Sequence, residues 1–145
     1  MKPASPDKSV IPADTYRRIV AAKMFIDENF HQAVNLRNIS AAAYISPYRF
    51  HRMFRGIYQV TPHRYLTTVR LRHAIRLLEE HRPVSEVCNK VGFDSHASFS
   101  ILFRKEFGFA PTYYRNQAWL RKLEAKAQPE KFIPHCFIDG YSITQ

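Results

Sequence analysis

The sequence predicts an all-α fold of about seven helices, with two helix-turn-helix subdomains joined by a long linker helix. Three observations predict it. Apolar residues recur at helical spacing, punctuated by caps and stops, from Asp14 to about Ala127. Part of the chain repeats itself at a shift of 49 residues. Between the copies, no glycine or proline interrupts the run from Pro62 to Pro83.

Taken in order, residues 1–13 hold three prolines and no periodicity, which predicts a flexible arm. Asp14 offers an N-cap to a first helix carrying Tyr16, Ile19, Val20, Ile26 and Phe30. After a polar break at Gln32–Asn35, Asn35 caps a second helix with Leu36, Ile39 and Ala43 on one face. Ser46-Pro47 opens a third, because serine accepts an orphan N–H and proline suits the first helical position. Its apolar stripe is Phe50, Met53, Phe54 and Ile57. Thr61-Pro62 repeats that start signal. Tyr65, Leu66, Val69, Ala74, Ile75 and Leu78 then mark a long helix that Pro83 stops. Its ~20 residues imply about 30 Å. Val84, Val87 and Val91 mark a short helix ending at Gly92. Asp94 or Ser95 caps the next, with Phe99, Leu102, Phe103 and Phe107, which ends at Gly108. Ala110-Pro111 opens the last. In the tail, Asp139-Gly140 between short apolar runs is a hairpin signal over 136–143, a docked or disordered tail being the alternative.

The repeat pairs Phe50 with Phe99, Phe54 with Phe103, Pro62 with Pro111 and Tyr65 with Tyr114. Upstream, Ile39 pairs with Val87 and Ala43 with Val91 at a shift of 48. Each copy is a short helix, a tight turn and a longer helix. The expected organisation is therefore an arm at 1–13 and a first subdomain at 14–61, with its motif at about 36–58. A linker helix follows at 62–82, then a second subdomain at 83–127, with its motif at about 84–107, and a tail at 128–145. Successive major grooves on one face of B-DNA are about 34 Å apart. A linker of roughly 30 Å suits two reading helices at that spacing. The competing reading of the pattern is a helical interaction module.

The charge distribution is informative. The net charge is +10, and residues 46–82 alone carry eight arginines, no lysine and only Glu79 and Glu80 as acids. Arginine forks match phosphates and guanine edges bidentately. A hydrophobic content of 46% permits a real core. No apolar run approaches the roughly 20 residues of a membrane span. Nothing resembles a signal peptide, so a cytoplasmic protein with no membrane partner is expected. Cys88 and Cys136 form no C-x-x-C pair, so free thiols rather than a zinc site are expected. No phosphate-loop, G-x-S-x-G or H-E-x-x-H motif occurs, the seven histidines are scattered, and His135-Cys136 is isolated. These absences predict neither enzyme activity nor a metal or cofactor. Phe50, Phe54, Phe99 and Phe103 are read as core, not as stacking platforms for single strands. RNA is disfavoured, because its A-form major groove is too narrow for a helix.

The second copy, Val84-Ser-Glu-Val-Cys-Asn-Lys-Val-Gly-Phe93, then Phe99, Phe103-Arg104-Lys105 and Phe107-Gly-Phe-Ala-Pro111-Thr-Tyr-Tyr-Arg115, resembles the AraC family of bacterial transcription regulators. Ser46, Phe50, Arg52, Phe54 and Pro62 match in the first copy, and Arg70-Leu-Arg-His-Ala74 with Leu77-Leu78 in the connecting helix. The resemblance covers about residues 15–117 and is to the short stand-alone form, with no room for a small-molecule effector domain. It implies sequence-specific binding of double-stranded DNA, with RNA polymerase a further candidate partner, and two reading units in one chain make a monomer the expected bound form. The third helix would read bases with Tyr48, His51 and Arg52, and Arg49 and Arg55 would meet phosphate or the groove edge. In the sixth helix the matching positions are His96, Ala97, Ser98, Ser100 and Ile101, with Arg104 at phosphate. Ile101 stands where many members have arginine, and Gln59 where the first unit often has glycine. The alternative function is nonspecific, nucleoid-type DNA binding by charge alone. Some alkyl-repair proteins join such a unit to a four-cysteine zinc site, which two cysteines cannot build.

Overall fold

The computed structural model describes residues 11–132, so most of the expected arm and the expected hairpin lie outside the described residues. The helices are α1 (Ala13–Asn29), α2 (Leu36–Ala42), α3 (Pro47–Tyr58), α4 (Pro62–Glu79), α5 (Val84–Lys90), α6 (His96–Phe107) and α7 (Pro111–Ala127). A 3-10 turn at Pro129–Phe132 follows α7. No strand occurs among the described residues, and no helix there is long and apolar enough to cross a membrane. The chain divides between Arg70 and Leu71 into two compact units. The helix expected as a linker is therefore shared, its first half built into one unit and its second half into the other.

In the first unit, Ile19, Ala22 and Ile26 of α1 pack with Ile39 and Ala43 of α2, Phe50 and Phe54 of α3, and Leu66 of α4. Phe54 is the hub: its ring lies 5.5 Å from Phe50, 4.6 Å from Tyr58 and 5.7 Å from Tyr65. The second unit repeats this arrangement. Leu71, Ala74 and Leu78 of α4 are buried, as are Val87, Cys88 and Val91, Phe99 and Phe103, and Ala118. Phe103 lies 5.7 Å from Phe99, 4.7 Å from Phe107 and 5.9 Å from Tyr114. Burying each such ring contributes about 1.5–3 kcal/mol.

The repeat extends further than the sequence reading placed it. Ile19, Ala22 and Ile26 correspond to Leu71, Ala74 and Leu78 at a shift of 52. Asp27 corresponds to Glu79 at the same shift. Each of these carboxylates accepts a tyrosine hydroxyl, Tyr65 to Asp27 at 2.7 Å and Tyr114 to Glu79 at 2.8 Å. The second half of α4 thus plays in its unit the part that α1 plays in the first. Arg70 and Trp119, 49 residues apart, both close off the end of that helix. Arg70 donates to the carbonyls of Phe30 and Gln32 at 2.7 and 2.8 Å. Trp119 stacks on His81 at 4.6 Å.

Several start and stop signals act differently from expectation. Asp14 is not the N-cap of α1. The cap lies two residues earlier, at Pro12, and Asp14, in the first turn, pairs with Arg18 one turn on at 2.8 Å. Asn35 caps α2 in a reciprocal box with Asn38, at 3.0 and 3.2 Å. Ser46 sits at the N-cap of α3 but makes no side-chain bond, so Pro47 is the start signal. Pro83 does not stop α4. The helix ends at Glu79, where His81 (φ 62°) enters the left-handed region. The His81 and Arg82 N–H groups then donate to the Leu78 and Leu77 carbonyls, the bonding of a Schellman turn. Of Asp94 and Ser95, Ser95 is the cap of α6, accepting from the Ser98 N–H at 3.2 Å.

Candidate nucleic-acid interface

In each unit a short helix is followed by the same turn and a twelve-residue helix. The α2 turn closes when Tyr44 N–H donates to Ala41 and Ile45 N–H to Ser40, at 3.0 and 3.1 Å. The α5 turn closes when Gly92 N–H donates to Asn89 and Phe93 N–H to Cys88, both at 3.1 Å. Both are Schellman turns, and the residue that enters the left-handed region is Tyr44 (φ 54°) in one and Gly92 (φ 88°) in the other.

The register of the core then fixes what α3 presents outward. With Phe50 and Phe54 buried and Met53 and Ile57 half-buried, 100° per residue puts Tyr48, Arg52 and Arg55 on the opposite face, flanked by Arg49 and His51. Tyr48 is 74% exposed, Arg49, Arg52 and Arg55 are exposed, and His51 is half-buried. The helix contains no acid, and among the described residues none of its three arginines lies in an ion pair. The result is a row of guanidinium groups free for an outside acceptor. Elsewhere the exposed cations are partly neutralised, as where Glu86 pairs with Arg82 and Lys90 at 3.2 and 2.9 Å. The Lys90 bond, with Arg82 adding charge, holds the Glu86 carboxyl below the usual glutamate range.

On α6 the buried Phe99 and Phe103 leave Ala97, Ile101 and Arg104 outward, flanked by Ser98 and half-buried Ser100, with His96 exposed at the first turn. Ile101 is 67% exposed, an apolar side chain with no core role. The structure thus gathers Tyr48, Arg49, His51, Arg52 and Arg55 on one helix of the first unit. It gathers His96, Ala97, Ser98, Ser100, Ile101 and Arg104 on the matching helix of the second. Tyr44, which sequence reasoning did not single out, is 85% exposed in the turn that leads into α3. Its alignment with Gly92 at the shift of 48 was the available signal.

Both twelve-residue helices, α3 and α6, end in the left-handed conformation. Gly108 does so at φ 84°, its N–H donating to Arg104 at 2.8 Å. Gln59 does so at φ 57°, and its side chain recovers part of the cost by donating to the Gly56 carbonyl at 2.8 Å. Cys88, buried under the second turn, has its thiol pushed up by desolvation and by the nearby charge of Asp94. Its Sγ–H points at the Phe93 carbonyl at 3.7 Å, a structural role rather than a reactive one. No group of three metal-ligating side chains occurs among the described residues.

A paired helix-turn-helix of this form defines a class of nucleic-acid-binding domain. The family model described as a helix-turn-helix domain matches residues 39–117. The regulatory protein SoxS of Salmonella typhimurium is 31% identical over 64% of this chain and 88% of its own. The probable transcriptional regulator LumQ of Photobacterium leiognathi is 32% identical over 63% of this chain, which spans only 37% of LumQ. The DNA-binding domain of AdpA, solved with a target DNA, superposes with a TM-score of 0.66 at 28% identity, covering 77% of this chain and 96% of that domain. The chain belongs to the AraC-type helix-turn-helix family.

Proposed function

We propose that the chain binds double-stranded DNA sequence-specifically and acts as a bacterial transcription regulator in the cytoplasm, without enzymatic activity. The observation that carries this is the outward face of α3, where three exposed arginines have no ion-pair partner among the described residues and stand beside an exposed tyrosine. Such a face complements an acceptor-rich groove bounded by phosphates. Its similarity to a domain solved on its target DNA supports the same reading. In this reading α3 and α6 each enter a major groove, successive along one side of the duplex. Tyr48, His51 and Arg52 read base edges, while Arg49, Arg55 and Arg104 hold phosphates. His96, Ala97, Ser98, Ser100 and Ile101 form the second reading face, and Ile101 favours thymine methyl groups.

Two reading units in one chain make a monomer sufficient for a non-palindromic site of about two helical turns. RNA polymerase is the further partner that the regulatory role implies. The test is to select sites from a random duplex library, then titrate the winner against salt. A consensus is expected, bound by a monomer, with log K falling against log[salt] at a slope near −5 if about 6 phosphates are neutralised. Selection of no consensus would instead leave a charge-driven, nonspecific binder.

A further inference from the structure

The turn between α2 and α3 holds a residue that the fold does not need. A Schellman turn requires a left-handed residue after the helix, and glycine adopts that conformation without a Cβ clash. The second unit uses Gly92 there, whereas the first carries Tyr44 at φ 54° with its side chain 85% exposed. A bulky residue at positive φ is costly, and this side chain contributes almost no burial to offset the cost. Strain kept without a packing return is a mark of a residue retained for contact with something outside the fold.

Position and chemistry say what that contact is. Tyr44 lies two residues before the cap of α3 and four before Tyr48, itself 74% exposed. In a docked helix-turn-helix the first helix crosses the backbone, and the N-terminal end of the second enters the groove. The turn between them then rides at the groove's rim, beside a phosphate strand. Tyrosine offers a neutral hydroxyl donor there, one of the groups that bind phosphate oxygens without reading sequence. We infer that the Tyr44 hydroxyl donates a hydrogen bond to a backbone phosphate flanking the groove that α3 occupies. This inference rests on the proposed DNA-binding function.

The experiment titrates wild type, Tyr44→Phe and Tyr44→Gly against the selected duplex and a panel of single-base variants, at several salt concentrations. Both substitutions should weaken binding about tenfold, as expected for one hydrogen bond to a charged acceptor. The loss should be equal on every sequence and leave the salt slope unchanged, because no charge is removed. Tyr44→Gly should unfold no earlier than wild type, which separates lost contact from lost structure. Unchanged affinity in both variants would overturn the inference. So would a loss confined to one base pair, or a loss in Tyr44→Gly that Tyr44→Phe does not share. If wild type itself bound no duplex, the proposed function would fall, and this inference with it.

Discussion

Removing one hydroxyl from each unit should separate the two tyrosine–carboxylate bonds. Tyr65→Phe deletes the hydroxyl that donates to Asp27 and bonds Lys23, while the ring contact with Phe54 at 5.7 Å and the Lys23 ammonium 5.5 Å over the ring centre need no hydroxyl. The bond is 2.7 Å long, partly buried and charge-assisted. Bonds to charged groups contribute about 1.5–3 kcal/mol, and partial access of water to Asp27 places this one near about 1.5 kcal/mol. A loss of that size should lower the melting temperature by about 3–6 °C in a chain of this length. Tyr114→Phe deletes a bond of similar length, 2.8 Å, but an exposed one. Water replaces it, so its cost should stay below about 0.5 kcal/mol. Urea unfolding at neutral pH, followed by circular dichroism and by the fluorescence of the single tryptophan, Trp119, measures both. The reasoning fails if Tyr114→Phe costs as much as Tyr65→Phe, because burial would then not set the value of these bonds.

Gly108→Ala introduces a Cβ that meets no atom within 4 Å, so its cost is the left-handed backbone alone. A loss of about 1 kcal/mol is expected by thermal unfolding, with DNA affinity unchanged once the protein is folded. Arg52→Ala should lose about 1–3 kcal/mol of binding and relax preference at one base pair, while Ile101→Ala loses less, mainly where thymine is present; titration of both against single-base variants decides it. Lys23 is raised above its ordinary 10.5 by its bonds to Asp27 and Tyr65, and Tyr65 above 10.0 by burial and then by Asp27. In both groups the fold favours the protonated form. Their contribution is therefore complete below those ordinary values and is lost as pH rises through the folded ones. The stability gap between wild type and Asp27→Asn should accordingly narrow above about pH 10, which urea titrations at neutral and alkaline pH would show.

What could be read in advance depended on how strongly local chemistry constrains a position. Phe50 and Phe99, or Phe54 and Phe103, announce the repeat because the same large ring fills the same core site at helical spacing. The matching of α1 with the second half of α4 stayed hidden. Its side chains differ, Asp27 against Glu79 and Ile19 against Leu71, and its shift of 52 breaks the register of 49. Caps misled where a backbone signal overrode a side chain, as Pro47 does beside Ser46. The end of α4 is not marked in the sequence, because His81 turns the chain with no glycine. The outward faces of α3 and α6 were easier, since once the phenylalanines are fixed inward, geometry assigns Arg52 and Ile101 outward. Tyr44 was not, because a turn residue belongs to no period.

The division of α4 between two cores bears on how the chain acquires its structure. Starting a helix fixes several residues for a single hydrogen bond, whereas lengthening one adds a bond for each residue ordered. Once Leu66 is locked into the first core, the turns that carry Leu71, Ala74 and Leu78 extend an existing helix rather than start a new one. The first unit also leaves the ribosome earlier. The second unit therefore collapses onto a template already wound.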